Sequence, residues 1–165
     1  MKVYRAYKTE LAPNDRQRTA FLRAAGCARW AYNWGLRRKI EAFEARKAAR
    51  AAGTSPEQAP KVPSAITLHK ELNALKKLPV EQGGVPWMYE VSKSAPQEAL
   101  RNLDKAFDSF FRRCKAGGKG AKGFPRFKSR KQGIGGFTLP LAAPHGDAHI
   151  ALPRIGRVRT KERGY

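Results

Sequence analysis

Hydrophobic positions along this chain change period several times, and each change marks a boundary between elements. From Lys2 to Leu11 the residues Val3, Arg5, Tyr7 and Thr9 alternate with Lys2, Tyr4, Ala6 and Lys8, a period of two that predicts a strand with no purely apolar face. Pro13 closes it, and Asn14 or Asp15 supplies a helix N-cap. Phe21, Leu22, Ala25 and Ala28 then recur at helical spacing. Gly26 is expected to interrupt or bend this helix, with a second running from about residue 28 to 52 and carrying Trp30 and Trp34 one turn apart. Two helices joined near a glycine form a helix-turn-helix-like hairpin, although any helical hairpin shares that pattern.

Gly53 to Pro63, with Pro56 and Pro60 between, reads as a loop. Ser64 caps a short helix whose apolar positions are Ile66, Leu68, Leu72 and Leu75, and residues 79 to 86 are a further break. Ser92 or Ser94 then starts a well-defined helix; Ser94 and Gln97 match a capping box, with Pro96 in the first turn, where its missing N–H does no harm. Leu100, Leu103, Phe107, Phe110 and Cys114 follow as one buried stripe, and Phe111 beside it is the aromatic expected at the surface. Beyond Cys114 come segments that read as strands over Phe137–Leu141, His149–Leu152 and the alternating Arg157–Lys161. The order of strand, helices and strands makes the fold class α+β.

Charge alters this picture. The 165 residues hold 34 Lys and Arg against 13 Asp and Glu, a net charge of +21. A compact fold so charged repels itself unless a polyanion neutralises it, and phosphate backbones do so with release of counterions. The bland alternative is a solvated basic surface. Lys115 to Lys131 concentrates the cations: Lys115, Lys119, Lys122, Arg126, Lys128, Arg130 and Lys131 are interleaved with Phe124 and Phe127, and no acid lies among them. Such a segment can follow a phosphate backbone and offer flat faces to bases; its alternative is a disordered tail. No apolar run approaches the roughly 20 residues needed to span a bilayer, and Met1 to Leu11 does not read as a signal peptide, so the expected compartment is the cytoplasm.

The chemistry of a complete enzyme is not legible. Cys27 and Cys114 stand apart, outside any C-x-x-C pair, and read as small buried hydrophobes. His145, Asp147 and His149 are close enough to suggest a metal site, but Pro144 and Gly146 make a turn the simpler reading, so neither metal nor cofactor is expected. Magnesium-dependent nucleases gather several carboxylates, and past residue 108 only Asp147 and Glu162 remain. The glycines at 117, 118, 120 and 123 resemble a phosphate loop only loosely, because no strand precedes them.

Four groups of residues occur in one order: Arg29, Tyr32 and Asn33; Leu100-Arg101-Asn102-Leu103; Gly123-Phe124-Pro125-Arg126-Phe127; and Leu152-Pro153-Arg154-Ile155-Gly156. Together they resemble the N-terminal half of the TnpB/OrfB proteins of bacterial insertion sequences, RNA-guided DNA nucleases related to small type V CRISPR effectors. That region of the family is described as a transposase helix-turn-helix domain. The resemblance implies a "wedge" β-barrel begun by residues 1–11, an inserted helical recognition region over 12–116, and a returning basic loop and strands over 117–165. It also implies that Lys93, Gln97 and Thr138 read a short DNA motif beside the target. Gln suits adenine in the major groove, and Lys suits guanine or phosphate. Ala65 and His69 depart from the family's polar and aromatic choices, which leaves the motif open.

Lys119, Lys122, Arg126, Lys128, Arg130, Lys131, Arg157 and Arg159 would contact the nucleic-acid backbone and the scaffold of a guide RNA, largely through phosphates. The implied partners are duplex DNA next to the target motif, guide RNA from the transposon end, and a nuclease domain supplied in trans. The family's RuvC-like nuclease half, with three acids and a zinc ribbon, is not in this sequence, which stops at Tyr165. The expectation is therefore a truncated, non-catalytic binding module of the bacterial cytoplasm, nucleoid-associated when bound. Its alternatives are the DNA-binding subunit of a split endonuclease and a basic ribosome-associated protein.

Overall fold

The computed structural model describes residues 8–117, 123–162 of the chain. Three helices, α1 (Asp15–Ala51), α2 (Ala65–Leu75) and α3 (Ser94–Lys115), pack together. Beside them lies a small antiparallel sheet of β1 (Leu11–Ala12), β2 (Ala143–Pro144), β3 (His149–Leu152) and β4 (Gly156–Thr160), ordered β1-β4-β3-β2. The class is α+β, and among the described residues the sheet is open rather than closed into a barrel.

The two helices expected on either side of Gly26 are one. α1 runs 37 residues without a break, because its Ala, Arg, Lys and Glu content favours helix strongly enough to absorb the roughly 1 kcal/mol that one internal glycine costs. Asn14 starts it with a reciprocal capping box: the Gln17 amide N–H donates to Asn14 Oδ1 at 2.9 Å, and the Asn14 N–H donates to Gln17 Oε1 at 3.0 Å. Gln17 also donates through Nε2 to the Arg157 carbonyl at 2.7 Å, so one side chain both caps α1 and pins β4 to it.

Different stretches of α1 meet different neighbours, so its buried residues do not follow one stripe. Leu22 of the expected stripe is exposed, whereas Ala24, Ala28, Ala31 and Leu36 enter the core with Leu68 and Leu72 of α2 and Leu100, Leu103 and Phe107 of α3. At Gly35 α1 and α3 approach so closely that a Cβ would stand 2.7 Å from Leu100 Cδ2. A polar knot ties the three helices. Buried Lys39 reaches Asp104 Oδ1 and the Pro63 carbonyl at 2.8 Å each, and Asp104 Oδ2 accepts from the first N–H of α2, that of Ala65, at 2.7 Å.

Ser64 caps α2 as its sequence predicts, although Ile66 points to solvent. α3 does not use the Ser94–Gln97 box. Lys93 occupies the N-cap position without a side-chain cap, and the Ser94 N–H donates to Ser92 Oγ at 3.4 Å, with Pro96 buried in the first turn. The strand expected over Phe137–Leu141 is extended chain ending in a turn, and the pairing strand is Ala143–Pro144. Phe137 instead packs towards α1, 6.0 Å from the Phe21 ring. Of the expected first strand, Leu11 pairs in the sheet as part of β1, and the Glu10 carbonyl just before it accepts from the Lys161 N–H at 2.8 Å; residues 2–7 of the Lys2–Leu11 pattern lie outside the described residues. His149–Leu152 and Gly156–Thr160 pair as a hairpin with Ile150 opposite Val158, and His145 and Asp147 lie on the preceding turn between β2 and β3.

Candidate nucleic-acid interface

The basic segment after α3 is docked, not loose. The Asn33 side chain grips the backbone of Lys128 as a neighbouring strand would. Its Nδ2 donates to the Lys128 carbonyl at 2.9 Å, and its Oδ1 accepts from the Lys128 N–H at 2.8 Å. One turn away, Arg29 donates to the Ile134 carbonyl at 3.1 Å. The Lys128 ammonium lies 4.2 Å from the centre of the Tyr32 ring, within cation–π range. Pro125 is buried, and Phe124 meets the edges or faces of Phe107 and Phe110 at 5.5 and 5.3 Å. Arg29, Tyr32 and Asn33 therefore touch the segment begun by Gly123-Phe124-Pro125-Arg126-Phe127, although about a hundred residues separate them in sequence. With its backbone held inward, the segment turns Arg126, Phe127, Arg130 and Lys131 to solvent. Lys119 and Lys122 fall outside the described residues.

In β4 the two-residue period sorts side chains cleanly: Val158 and Thr160 are buried, and Arg157 and Arg159 face out on one side. At the other end, the start of α3 presents Lys93 exposed and Gln97 half-buried, while Thr138 is exposed on the returning chain. Their neighbours Ser92 and Leu139 line one cleft of about 330 Å³ together with Arg16, Arg23 and Arg154. Arg154 sits there at φ 68°, a left-handed conformation in the β3–β4 turn that few non-glycine residues adopt. Sequence reasoning missed Arg16, Arg23 and Arg154 as a group. The positions are far apart in the chain, and only the packing of the hairpin against α1 unites them. A single acid answers them in the cleft: Glu90 pairs with Arg23 at 2.9 Å.

Beside Lys93, the α2–α3 surface is also cationic. Burial, and then the positive charges of Lys76, Arg101 and Lys93, pull the His69 imidazole below its ordinary pKa of 6.5. Burial likewise lowers the Lys76 ammonium. Cys27 is driven the other way: desolvation, with the Glu90 carboxylate nearby, pushes its thiol up to about 11, so it stays protonated and unreactive at neutral pH. Among the described residues no group of three or more His, Cys, Asp or Glu is placed to hold a metal ion, and no helix is long and apolar enough to cross a membrane.

Comparison with known proteins finds relatives over most of the chain. A family model described as a helix-turn-helix domain, that of OrfB proteins of the IS605 type, matches residues 1–48. InsQ of Escherichia coli (strain K12), which carries the name of an RNA-guided DNA endonuclease, is 28% identical over 161 residues. A protein of the same name from Streptomyces pristinaespiralis is 31% identical over 133 residues. These matches support a segment like the N-terminal part of TnpB/OrfB proteins over most of the chain. The chain spans about a third of the length of these relatives: 96% of the chain matches 34% of InsQ, and 79% matches 27% of the Streptomyces protein. The portion of the helix-turn-helix match from residue 15 to 48 lies within the single helix α1. Arg29, Tyr32 and Asn33, within that match, are the side chains by which the helix holds the basic segment.

Proposed function

We propose that this chain is a nucleic-acid-binding module that engages duplex DNA beside a short target motif and the scaffold of a guide RNA. One observation carries the reading. A glycine-rich, acid-free segment is fastened to α1 by its backbone, so that Arg126, Arg130 and Lys131 stand outward on a chain of net charge +21. A fold that fixes a backbone while leaving its guanidinium and ammonium groups in water suits phosphate contact, which gives affinity and register. Arg157 and Arg159 extend the same chemistry onto the sheet. In this reading residues 1–11 and 117–165 form the wedge and residues 12–116 the recognition region, and Lys93, Gln97 and Thr138 read base edges beside the arginine cleft. The similarity to proteins named as RNA-guided DNA endonucleases supports the choice of DNA and RNA as partners.

The test is an electrophoretic or anisotropy titration of the purified chain across salt concentrations. Binding is expected to weaken steeply as salt rises. Affinity indifferent to salt would overturn phosphate contact. Lys93→Ala or Gln97→Ala is expected to relax sequence preference, whereas the paired Lys128→Ala and Arg130→Ala is expected to weaken all sequences alike. Equal effects of both sets on every sequence would overturn that division.

A further inference from the structure

Two glycines sit inside α1, and only one is explained by packing. Gly35 has no room for a side chain, because Leu100 and Leu103 of α3 press on it. Gly26 has nothing within 4 Å of where a Cβ would stand, and its backbone is ordinary helix. Alanine there would favour the helix by about 1 kcal/mol, so neither packing nor backbone geometry requires the glycine. What its bare backbone does is leave open a cleft of about 420 Å³, bordered by Arg23, Arg29, Trp30, Asn33 and Trp87.

That cleft has the chemistry of a seat for a flat, anionic group. Trp87 is 39% exposed and meets the Trp30 ring edge-on at 5.9 Å, and Trp30 in turn stacks on Trp34 at 6.0 Å with only 9° between the ring planes. The indoles thus brace one another, and the exposed Trp87 borders the cleft. Arg23 and Arg29 stand at the rim, tethered by Glu90 and by the Ile134 carbonyl respectively, which holds the guanidinium groups in place without neutralising Arg29. The Cys27 thiol in the wall is protonated, which removes a nucleophile and leaves a binding site. At this volume the cleft matches a pocket for one small ligand, not the groove of a duplex.

We infer that the Gly26 cleft takes one unstacked nucleobase of a single strand, stacked on Trp87 and edge-on to Trp30, with its phosphate held by Arg29. The inference rests on the nucleic-acid reading above and adds to it a subsite selective for single strands. Base–aromatic stacking tolerates any base, so the seat would fix the path of a strand without reading its sequence.

The chain's three tryptophans all belong to this cluster, so intrinsic fluorescence reports on it alone. The full chain is titrated with a twelve-nucleotide mixed-sequence oligoribonucleotide, its deoxy counterpart and a blunt duplex of the same sequence, with binding followed by anisotropy and quenching read in parallel. Single strands are expected to quench, and the duplex is expected to bind without quenching. Gly26→Leu fills the cleft and favours the helix, so it should melt no lower than wild type. It is expected to abolish quenching and weaken single-strand binding about tenfold, while duplex affinity changes less than twofold. Trp87→Ala should weaken single-strand binding similarly. The ribo and deoxy arms decide which strand is the source. If single strands bind without quenching, or bind both variants as tightly as wild type, the seat is overturned and the nucleic-acid reading stands. If no oligonucleotide binds, both are overturned.

Discussion

The grip of Asn33 on Lys128 offers a direct test of how the basic segment is held. Asn33→Ala deletes two hydrogen bonds, of 2.9 and 2.8 Å, without touching the segment's own sequence. At about 1 kcal/mol net for each, the loss is about 2 kcal/mol. Alanine's higher helix propensity stabilises α1 equally whether the segment is docked or open, so it leaves this equilibrium untouched. The loss of about 2 kcal/mol should raise the open population of the segment about thirtyfold. The assay is amide hydrogen exchange at Gln132 and Gly133, whose N–H groups bond to Ser129 and Arg130 within the following turn and not to Asn33. Both should exchange about thirtyfold faster in the variant, while core amides of α3 such as that of Leu103 keep their protection. Lys128→Met keeps the backbone grip and removes only the Tyr32 contact, about 0.5–1 kcal/mol, so it should accelerate the same amides two- to fivefold. Wild-type exchange at Gln132 and Gly133 in Asn33→Ala would refute the reasoning, because the segment would then be held by something other than this side chain.

Three further outcomes are expected. Gly26→Ala should raise the thermal midpoint, since it gains about 1 kcal/mol of helix propensity in open space. Gly35→Ala should lower it, at a net stability cost of about 1 kcal/mol, as the Leu100 contact overpacks, and midpoints moving in the same direction would contradict the contrast. Lys39→Met strands the Asp104 carboxylate. Because that side chain is 31% exposed, the expected cost is about 2–3 kcal/mol, below that of a fully buried pair, or roughly 5–10 °C in a calorimetric scan. His69 takes a proton less readily folded than unfolded, so its contribution to stability is complete above about pH 6.5 and is lost as pH falls through and below that value. Melting from pH 7 to pH 5 should therefore cost wild type more than His69→Gln, and parallel curves would remove His69 from the account.

What the sequence disclosed followed the strength of local signals. The α3 stripe of Leu100, Leu103 and Phe107 and the Ser64 cap were legible, because one face or one hydroxyl decides each. The break expected at Gly26 was not there. A single glycine is a weak signal against the helix-forming content around it, and the reason for its presence lies in a cleft that periodicity does not reveal. The Ser94 box failed because the approach of the preceding Pro86–Glu90 turn leaves Lys93, not Ser94, at the cap position. The strand placed over Phe137–Leu141 went astray because Phe137 is drawn to Phe21, a contact 116 positions away that alternation cannot encode. The basic character of the segment was plain from composition. That Arg29, Tyr32 and Asn33 hold it was not, since each reads locally as an ordinary helical residue.

The uninterrupted course of α1 has a mechanical consequence. At 37 residues it is about 55 Å long, and it is fastened near its start to β4 through Gln17, at mid-length to the basic loop through Asn33, and further on to the other helices through Lys39. A rod without a joint transmits tilt. Swinging the hairpin by a few degrees displaces the cationic loop and the far helices in fixed proportion, so these parts move as one lever or else tear a fastening.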